Sequence, residues 1–333
     1  MSKIIRCLIT ILKVGLAFFI CLCILSIFII GYAYPSIHTE NNSGSTDWKL
    51  ADNQLRTNMV EGFSWIKVDS NGFNNEVNEN NVDNLIMGSS HMEGYNVNYD
   101  ENVTYLLNQK DVGYTYNIGI SGHTIYCCAK NLEDALEEYR PKRYVIIETD
   151  TVNLHITDMK SVMKGTYINP GSSIDRGLKR KLKIYLPAVP MLYNQIKIWK
   201  ESNLSADTDD GSSMIGYKNT LNKFIERIAN ICQENNVKCL IFYHPKTEIN
   251  GLGEIIRYDE DYARLFKECC MSNGIEFIDM TEIFDELYSD KHILAHGFTN
   301  TAVGTGHLNK YGHKAIAEAI ADFIINDRMV REE

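Results

Sequence analysis

Three short runs of residues could place a hydroxyl, an imidazole and free backbone N–H groups near one another. The run Gly88-Ser89-Ser90-His91-Met92-Glu93-Gly94 closes the apolar stretch NLIMG (84–88). Small residues at a strand-to-helix turn can present a serine as a nucleophile beside free N–H groups, and the same residues also make a plain helix cap. A second run is Asn117-Ile118-Gly119-Ile120-Ser121-Gly122-His123-Thr124. Its glycines let the backbone approach a ligand and aim N–H groups at it, as in an oxyanion hole or a simple tight turn. Near the carboxyl end stand His296-Gly297-Phe298-Thr299-Asn300 and Gly304-Thr305-Gly306-His307-Leu308-Asn309-Lys310-Tyr311-Gly312-His313. His307 has no apolar periodicity around it to place it in a core. Asn309 suits an N-cap for the helix that follows, and Leu308 suits an anchor for the loop.

The elements that must position these runs are legible as apolar stretches ending at turn residues: NLIMG (84–88), YTYNIG (114–119), YVIIET (144–149), CLIFY (239–243) and IEFID (275–279). Between them the spacing is helical, as in Leu132, Leu136 and Tyr139, in Leu221, Phe224, Ile225, Ile228 and Cys232, and in Ile316, Ile320, Phe323 and Ile324. Strand and helix alternate, so the expected architecture is α/β with a mostly parallel five-stranded sheet between two helical layers. Ligands then belong at the carboxyl ends of the strands, near a switch in strand order. Residues 156–216 carry no strand pattern and include the basic amphipathic piece RGLKRKLKIYLPAVPMLYNQIKIWK, which reads as an inserted helical flap packed on the body, ahead of a lid or a surface that touches lipid headgroups or a membrane partner. His244, in Tyr243-His244-Pro245 after the fourth strand, reads as structural, with a substrate-facing role open.

Val14 to Tyr34 is a run of 21 residues without a charge. At about 1.5 Å per residue it is long enough to cross a hydrocarbon core of about 30 Å. It exceeds a signal-peptide core, and no small-x-small site follows before Pro35, so a retained transmembrane helix is expected. Lys3, Arg6 and Lys13 precede it and the next basic residue is Lys49, which predicts a cytoplasmic amino terminus (1–13) and an extracytoplasmic body at the cell membrane. Residues 35–80, rich in Asn, Ser, Asp and Glu, read as a polar tether, and 81–330 as the body.

Of 333 residues 44% are hydrophobic and 23% charged, enough for one ordinary core and against disorder as the main state. Without the first 35 residues the chain has 30 basic and 43 acidic residues, hence −13. Such a body should repel a phosphate backbone, so nucleic acid is not an expected partner. Six of the nine cysteines, at 127, 128, 232, 239, 269 and 270, lie in the body. None falls in a CxxC pair or beside histidines at zinc spacing, and buried free thiols are favoured over disulfides or a metal site.

Taken together, the runs resemble the blocks of the SGNH/GDSL hydrolase superfamily. Gly88-Ser89-Ser90 matches Gly-Asp-Ser with Ser89 for the aspartate, and Asn117 through Gly122 matches Asn-x-x-Ile-Ser-Gly. Gly304 to Leu308 matches Asp-x-x-His-Leu with Gly304 at the aspartate position. The third block, Gly-x-Asn-Asp, reads Glu148-Thr149-Asp150-Thr151-Val152-Asn153, which puts Val152 at the asparagine position and Asn153 one place late. The resemblance covers about residues 81–326. It implies a flavodoxin-like three-layer sandwich, Ser90 as nucleophile, His307 as general base, and Gly122 with the Ser90 N–H as oxyanion donors. Asn153 or Thr149 would supply a further donor, whereas Asp150 would repel an oxyanion. With Gly304 in place, the group orienting His307 must come from elsewhere. His91, His123 and His296 are candidates to lie near substrate, and His91, His123 and His313 could equally hydrogen-bond the loops.

The leading expectation is thus a membrane-anchored, extracytoplasmic serine esterase or acyltransferase acting on O-acyl groups, O-acetyl foremost, of envelope or secreted glycans. Ser90 would attack the ester carbonyl, and water or a sugar hydroxyl would resolve the acyl-enzyme. Neither metal nor organic cofactor is required. The rival is a non-catalytic accessory protein that serves a multi-pass membrane acyltransferase in polysaccharide modification. A lipid esterase or thioesterase would instead require an apolar acyl tunnel.

Overall fold

The computed structural model describes residues 3–25, 37–42, 45–50, 55–58, 61–76, 81–169, 214–256 and 259–332. The chain opens with helix α1 (Lys3–Ile24), which is long and apolar enough to cross a membrane, with none of its most apolar window buried. It begins before the uncharged run and takes in Lys3, Arg6 and Lys13; residues 26–34 of the expected span lie outside the described residues. Two antiparallel hairpins follow, β1 (Ile37–Asn42) with β2 (Ser45–Leu50), and β3 (Leu55–Asn58) with β4 (Ser64–Lys67).

The body alternates as its periodicity requires. Strand β5 (Asn84–Met87) leads through the short α2 (Ser90–Glu93) and α3 (Val103–Asn108) to β6 (Thr115–Asn117), then α4 (Ile125–Tyr139), β7 (Tyr144–Thr149), α5 (Ile156–Met163), α6 (Met214–Glu234) and β8 (Lys238–Tyr243). A two-residue ladder, β9 (Glu248–Ile249) with β10 (Ile255–Ile256), precedes α7 (Glu260–Ser272), β11 (Glu276–Asp279), α8 (Thr281–Lys291) and α9 (Lys310–Glu332). Of the segment read as an insertion, α5 and the start of α6 are described; the basic amphipathic piece lies outside the described residues.

The sheet order is β11-β8-β7-β5-β6, and every neighbouring pair is parallel. This is the flavodoxin-like arrangement, with its switch in order between β5 and β7. Alternate residues of the strands enter opposite cores, because side chains leave a strand with period two. Leu85, Tyr116, Val145, Ile147 and Ile241 pack with Leu132, Phe224, Ile228 and Phe266. Ile86, Ile146, Leu240 and Phe242 pack on the other face with Phe284, Ile316 and Ile320. Both faces of the central strands are covered, which is why they read as continuous apolar runs. The six cysteines of the body are free and buried.

The boundary of the body requires correction. Residues 61–75 are not a solvated tether: Ile66 and Val68 are each 1% exposed. The Asp69 carboxylate accepts the Tyr116 hydroxyl at 2.6 Å and the Asn71 and Phe73 N–H groups. Asn75 exchanges hydrogen bonds with the backbone of Asn117, so the segment docks along edge strand β6.

Candidate active site

The switch between β5 and β7 leaves a crevice at the carboxyl ends of the two strands, and Ser90 stands at its edge. Gly88 follows β5, Ser89 caps α2 by accepting the His91 N–H on its hydroxyl at 3.2 Å, and Ser90 is the first helical residue. A side chain at Gly88 would have no room, since a Cβ there would lie 2.5 Å from Glu148 Oε2.

His307 arrives from the loop before α9. Its Nε2 lies 2.8 Å from Ser90 Oγ, although 217 residues separate the two in the chain. The loop is held by Leu308, which is fully buried, by the Gly297 N–H on the His307 carbonyl, and by Asn309. The Asn309 side chain caps α9 by accepting from Tyr311 N–H and donates to the carbonyls of Leu294 and Gly297.

The third member is Glu61, which the sequence reading placed in the tether. Its Oε2 lies 2.6 Å from His307 Nδ1, and its Oε1 accepts the His307 backbone N–H at 2.7 Å. Asn96 donates to the Glu61 carbonyl, and Asn300 both accepts from and donates to the Gly62 backbone, clasping the loop between β3 and β4 against the body. Burial acts to raise the Glu61 carboxyl, but the hydrogen bond and charge of His307 overcome it and hold the group below its ordinary value. An ionised Glu61 fixes the proton on Nδ1, leaving Nε2 to accept from the Ser90 hydroxyl. Gly304 sits at φ +88, a conformation unfavourable for aspartate, so the carboxylate reaches His307 from another segment.

Behind Ser90 lies a buried polar system. Glu148 Oε2 accepts the Ser89 N–H at 2.6 Å, Oε1 accepts the Ser89 hydroxyl at 3.2 Å, and Oε1 lies 2.6 Å from His244 Nε2. His244 Nδ1 in turn lies 3.4 Å from His296 Nε2. The His91 ring packs between those of His244 and His307 and accepts the Leu308 N–H on Nδ1 at 3.1 Å. Burial first, and then the neighbouring imidazoles, push His91 well below its ordinary value, His296 to about 2 and His313 to about 3, so these rings are neutral.

His91, His244 and His296 offer ring nitrogens within 4.8 Å of one another, the spacing a metal ion would require. The donor set does not fit. With Nδ1 accepting from Leu308, the neutral His91 ring carries its proton on Nε2, the nitrogen that would have to ligate.

The other expected residues divide. Gly122 has φ +83 and open space beside its Cα, and its N–H has no acceptor among the described residues, as an oxyanion donor requires. The Thr149 hydroxyl is not such a donor, because it gives its hydrogen bond to the Thr151 carbonyl at 2.6 Å. Val152, at the third-block asparagine position, is fully buried in the core, whereas Asn153 is exposed on the same loop. His123 is buried after β6 with its N–H on the Ile120 carbonyl. Of the histidines expected near substrate, His91 and His296 lie behind Ser90 in the polar system. His244, read as structural, is the link between Glu148 and His296. Glu61 and Glu148 were missed as members of the site.

Fold and site together define a flavodoxin-like α/β/α sandwich with a Ser-His-Glu arrangement at the carboxyl ends of its strands. Similar solved structures include the acetyl xylan esterase AlAXEase (16% identity, covering 71% of this chain and 97% of that one, TM-score 0.40). An acetylxylan esterase from Geobacillus stearothermophilus is 15% identical over 72% of this chain and 93% of that one, with TM-score 0.40. The esterase EstA from Pseudoalteromonas sp. is 15% identical over 74% and 98%, with TM-score 0.37. No protein-family model and no curated protein matches the sequence.

Proposed function

We propose that this protein is an SGNH-type serine esterase or O-acyltransferase, anchored by its amino-terminal helix and acting outside the membrane on O-acyl groups, foremost O-acetyl, of envelope or secreted glycans. One observation carries the catalytic half: Ser90 Oγ, His307 and Glu61 form a continuous hydrogen-bonded series, with contacts of 2.8 and 2.6 Å. In the proposed reaction Ser90 attacks the ester carbonyl while His307 takes its proton and then delivers it to the leaving alcohol. Glu61 holds the imidazole in its tautomer, and the N–H groups of Ser90 and Gly122 receive the oxyanion. Water or a sugar hydroxyl then resolves the acyl-enzyme.

A polar substrate is supported by the surroundings. A groove of about 700 Å³ runs along the carboxyl ends of β7, β8 and β11, lined by Asp150, Lys246, Glu248, Arg264, Asp279 and Thr281. None of Ser90, His307 and Glu61 lines this groove, but Lys246 on its wall acts electrostatically on both Glu61 and His296. Such walls suit a glycan better than a long acyl chain. The accessory reading drew on Gly304 and on the unusual third block; Glu61 answers the first, while the third block keeps Val152 buried and the Thr149 hydroxyl on the Thr151 carbonyl.

The test is acetate release by the full chain in detergent from an O-acetylated polysaccharide, with and without an unacetylated sugar acceptor. The proposal expects acetate from wild type, none from Ser90→Ala, and acetyl esters preferred to octanoyl esters. No release from any acetylated glycan, with octanoyl esters cleaved instead, would contradict the substrate assignment.

A further inference from the structure

The triad leaves Glu148 and His244 without an assigned role, although both are almost wholly buried directly behind Ser90. Burying a carboxylate is costly unless its oxygens are fully hydrogen-bonded. Glu148 meets that condition with three contacts, two of them from Ser89, the residue adjoining the nucleophile. The fit is close: the Glu148 side chain lies under the Gly88 peptide so tightly that no Cβ could be accommodated there. The Ser89 hydroxyl is used twice, donating to Glu148 and accepting the His91 N–H, so one side chain sets the start of α2. A four-residue helix is too short to hold its own geometry, so its orientation must come from outside it.

From Glu148 the polar contacts continue through His244 to His296, whose backbone bridges to Leu308 next to His307. The nucleophile turn and the His307 loop are therefore joined through the interior as well as across the triad. Proton placement follows from the acceptors. Glu148 accepts the hydrogen bond of His244 Nε2–H, and His244 Nδ1 then accepts from His296 Nε2–H, with which the neutral state of His296 agrees.

We propose that the Glu148–His244 pair is a positioning unit for the nucleophile: it fixes the Ser89–Ser90 turn so that Ser90 Oγ meets His307 Nε2. This rests on the esterase reading above. Glu148 touches no reacting atom, and it acts through Ser89. Misplacing a catalytic group by about 1 Å can cost on the order of 10²-fold in rate. Glu148→Gln keeps the volume but has a single acceptor oxygen, so it cannot hold the Ser89 N–H on one oxygen while the other takes the Ser89 hydroxyl and His244.

The experiment measures two quantities in the full-length protein. One is the second-order rate of inactivation by a fluorophosphonate across pH; the other is kcat and KM for p-nitrophenyl acetate. Wild type is compared with Glu148→Gln, Glu148→Asp, Ser89→Ala and His244→Gln. Glu148→Gln is expected to lower kcat and the inactivation rate in parallel by about 10- to 100-fold. KM should stay within about twofold, and the pH midpoint set by His307 and Glu61 should not move. Ser89→Ala should reproduce part of the loss, and Glu148→Asp should recover part of it. A general loosening would instead shift KM and the midpoint together, and that result, or unchanged rates in Ser89→Ala and His244→Gln, overturns the proposal even if Glu148→Gln fails to fold. Should wild type itself not react with the fluorophosphonate, the esterase reading falls and this proposal with it; reaction of wild type and variants at equal rates removes this proposal alone.

Discussion

Glu61 and His307 are 246 residues apart in the chain and are joined twice, once through the imidazole and once through the backbone N–H. A carboxylate bound at both points sets the loop and the ring at once, which a backbone carbonyl in the place of Gly304 could not do. Glu61→Gln should therefore lower kcat/KM for acetyl esters by up to about 10⁴-fold, the loss seen when a triad aspartate is replaced by its amide. Steady-state kinetics alongside circular dichroism checks this, and a loss below tenfold with the fold intact would remove Glu61 from the triad.

Gly306 offers an independent route to the same defect. Its φ is +83, and a Cβ there would stand 2.1 Å from Glu61 Oε1, so Gly306→Ala must displace the carboxylate. We expect it to match Glu61→Gln in activity. Near-normal turnover in the alanine variant would mean that the Glu61 contact does not matter.

Much of the arrangement could be read from residue order, for identifiable reasons. The five strands were visible because a sheet covered on both faces produces continuous apolar runs, and the Ser90 and His307 turns because each joins glycines to a polar group at the end of an element. Glu61 was hidden: it comes from a segment dominated by Asn, Asp and Ser, and nothing local distinguishes it from the other acids there. The one available signal was the alternation Ser64-Trp65-Ile66-Lys67-Val68, a strand pattern within an apparent tether. Glu148 was hidden for the opposite reason, since inside a buried strand its partners come from two other strand ends and are visible only in three dimensions.

The buried neutral imidazoles predict how stability depends on pH. His91, His296 and His313 have folded values far below 6.5, so the unfolded chain binds protons that the folded one refuses. Their contribution is complete above about pH 6.5 and is lost as pH falls below it, by at most about 1.4 kcal/mol per pH unit for each ring. The Glu61 carboxyl, held below its ordinary 4.5, adds stability that disappears only at still lower pH. Urea denaturation at pH 7.5, 6.5 and 5.5 should show little change over the first step and a clear loss over the second. Equal stability at 6.5 and 5.5 would show that the rings protonate in place.

Anchoring makes a separate prediction. Helix α1 should keep the full chain in membranes through carbonate extraction, and an external protease should degrade the body in intact spheroplasts. Release by carbonate, or protection of the body until the cells are lysed, would reverse the proposed topology.

The account rests on Ser90 being activated by His307, and covalent capture tests this directly. The full chain is treated with a fluorophosphonate, and the modified peptide is identified by mass spectrometry. The expected result is one adduct, on Ser90, absent in Ser90→Ala and slowed at least about 10³-fold in His307→Ala. An adduct on another residue, or labelling of Ser90 at the wild-type rate without His307, would contradict it.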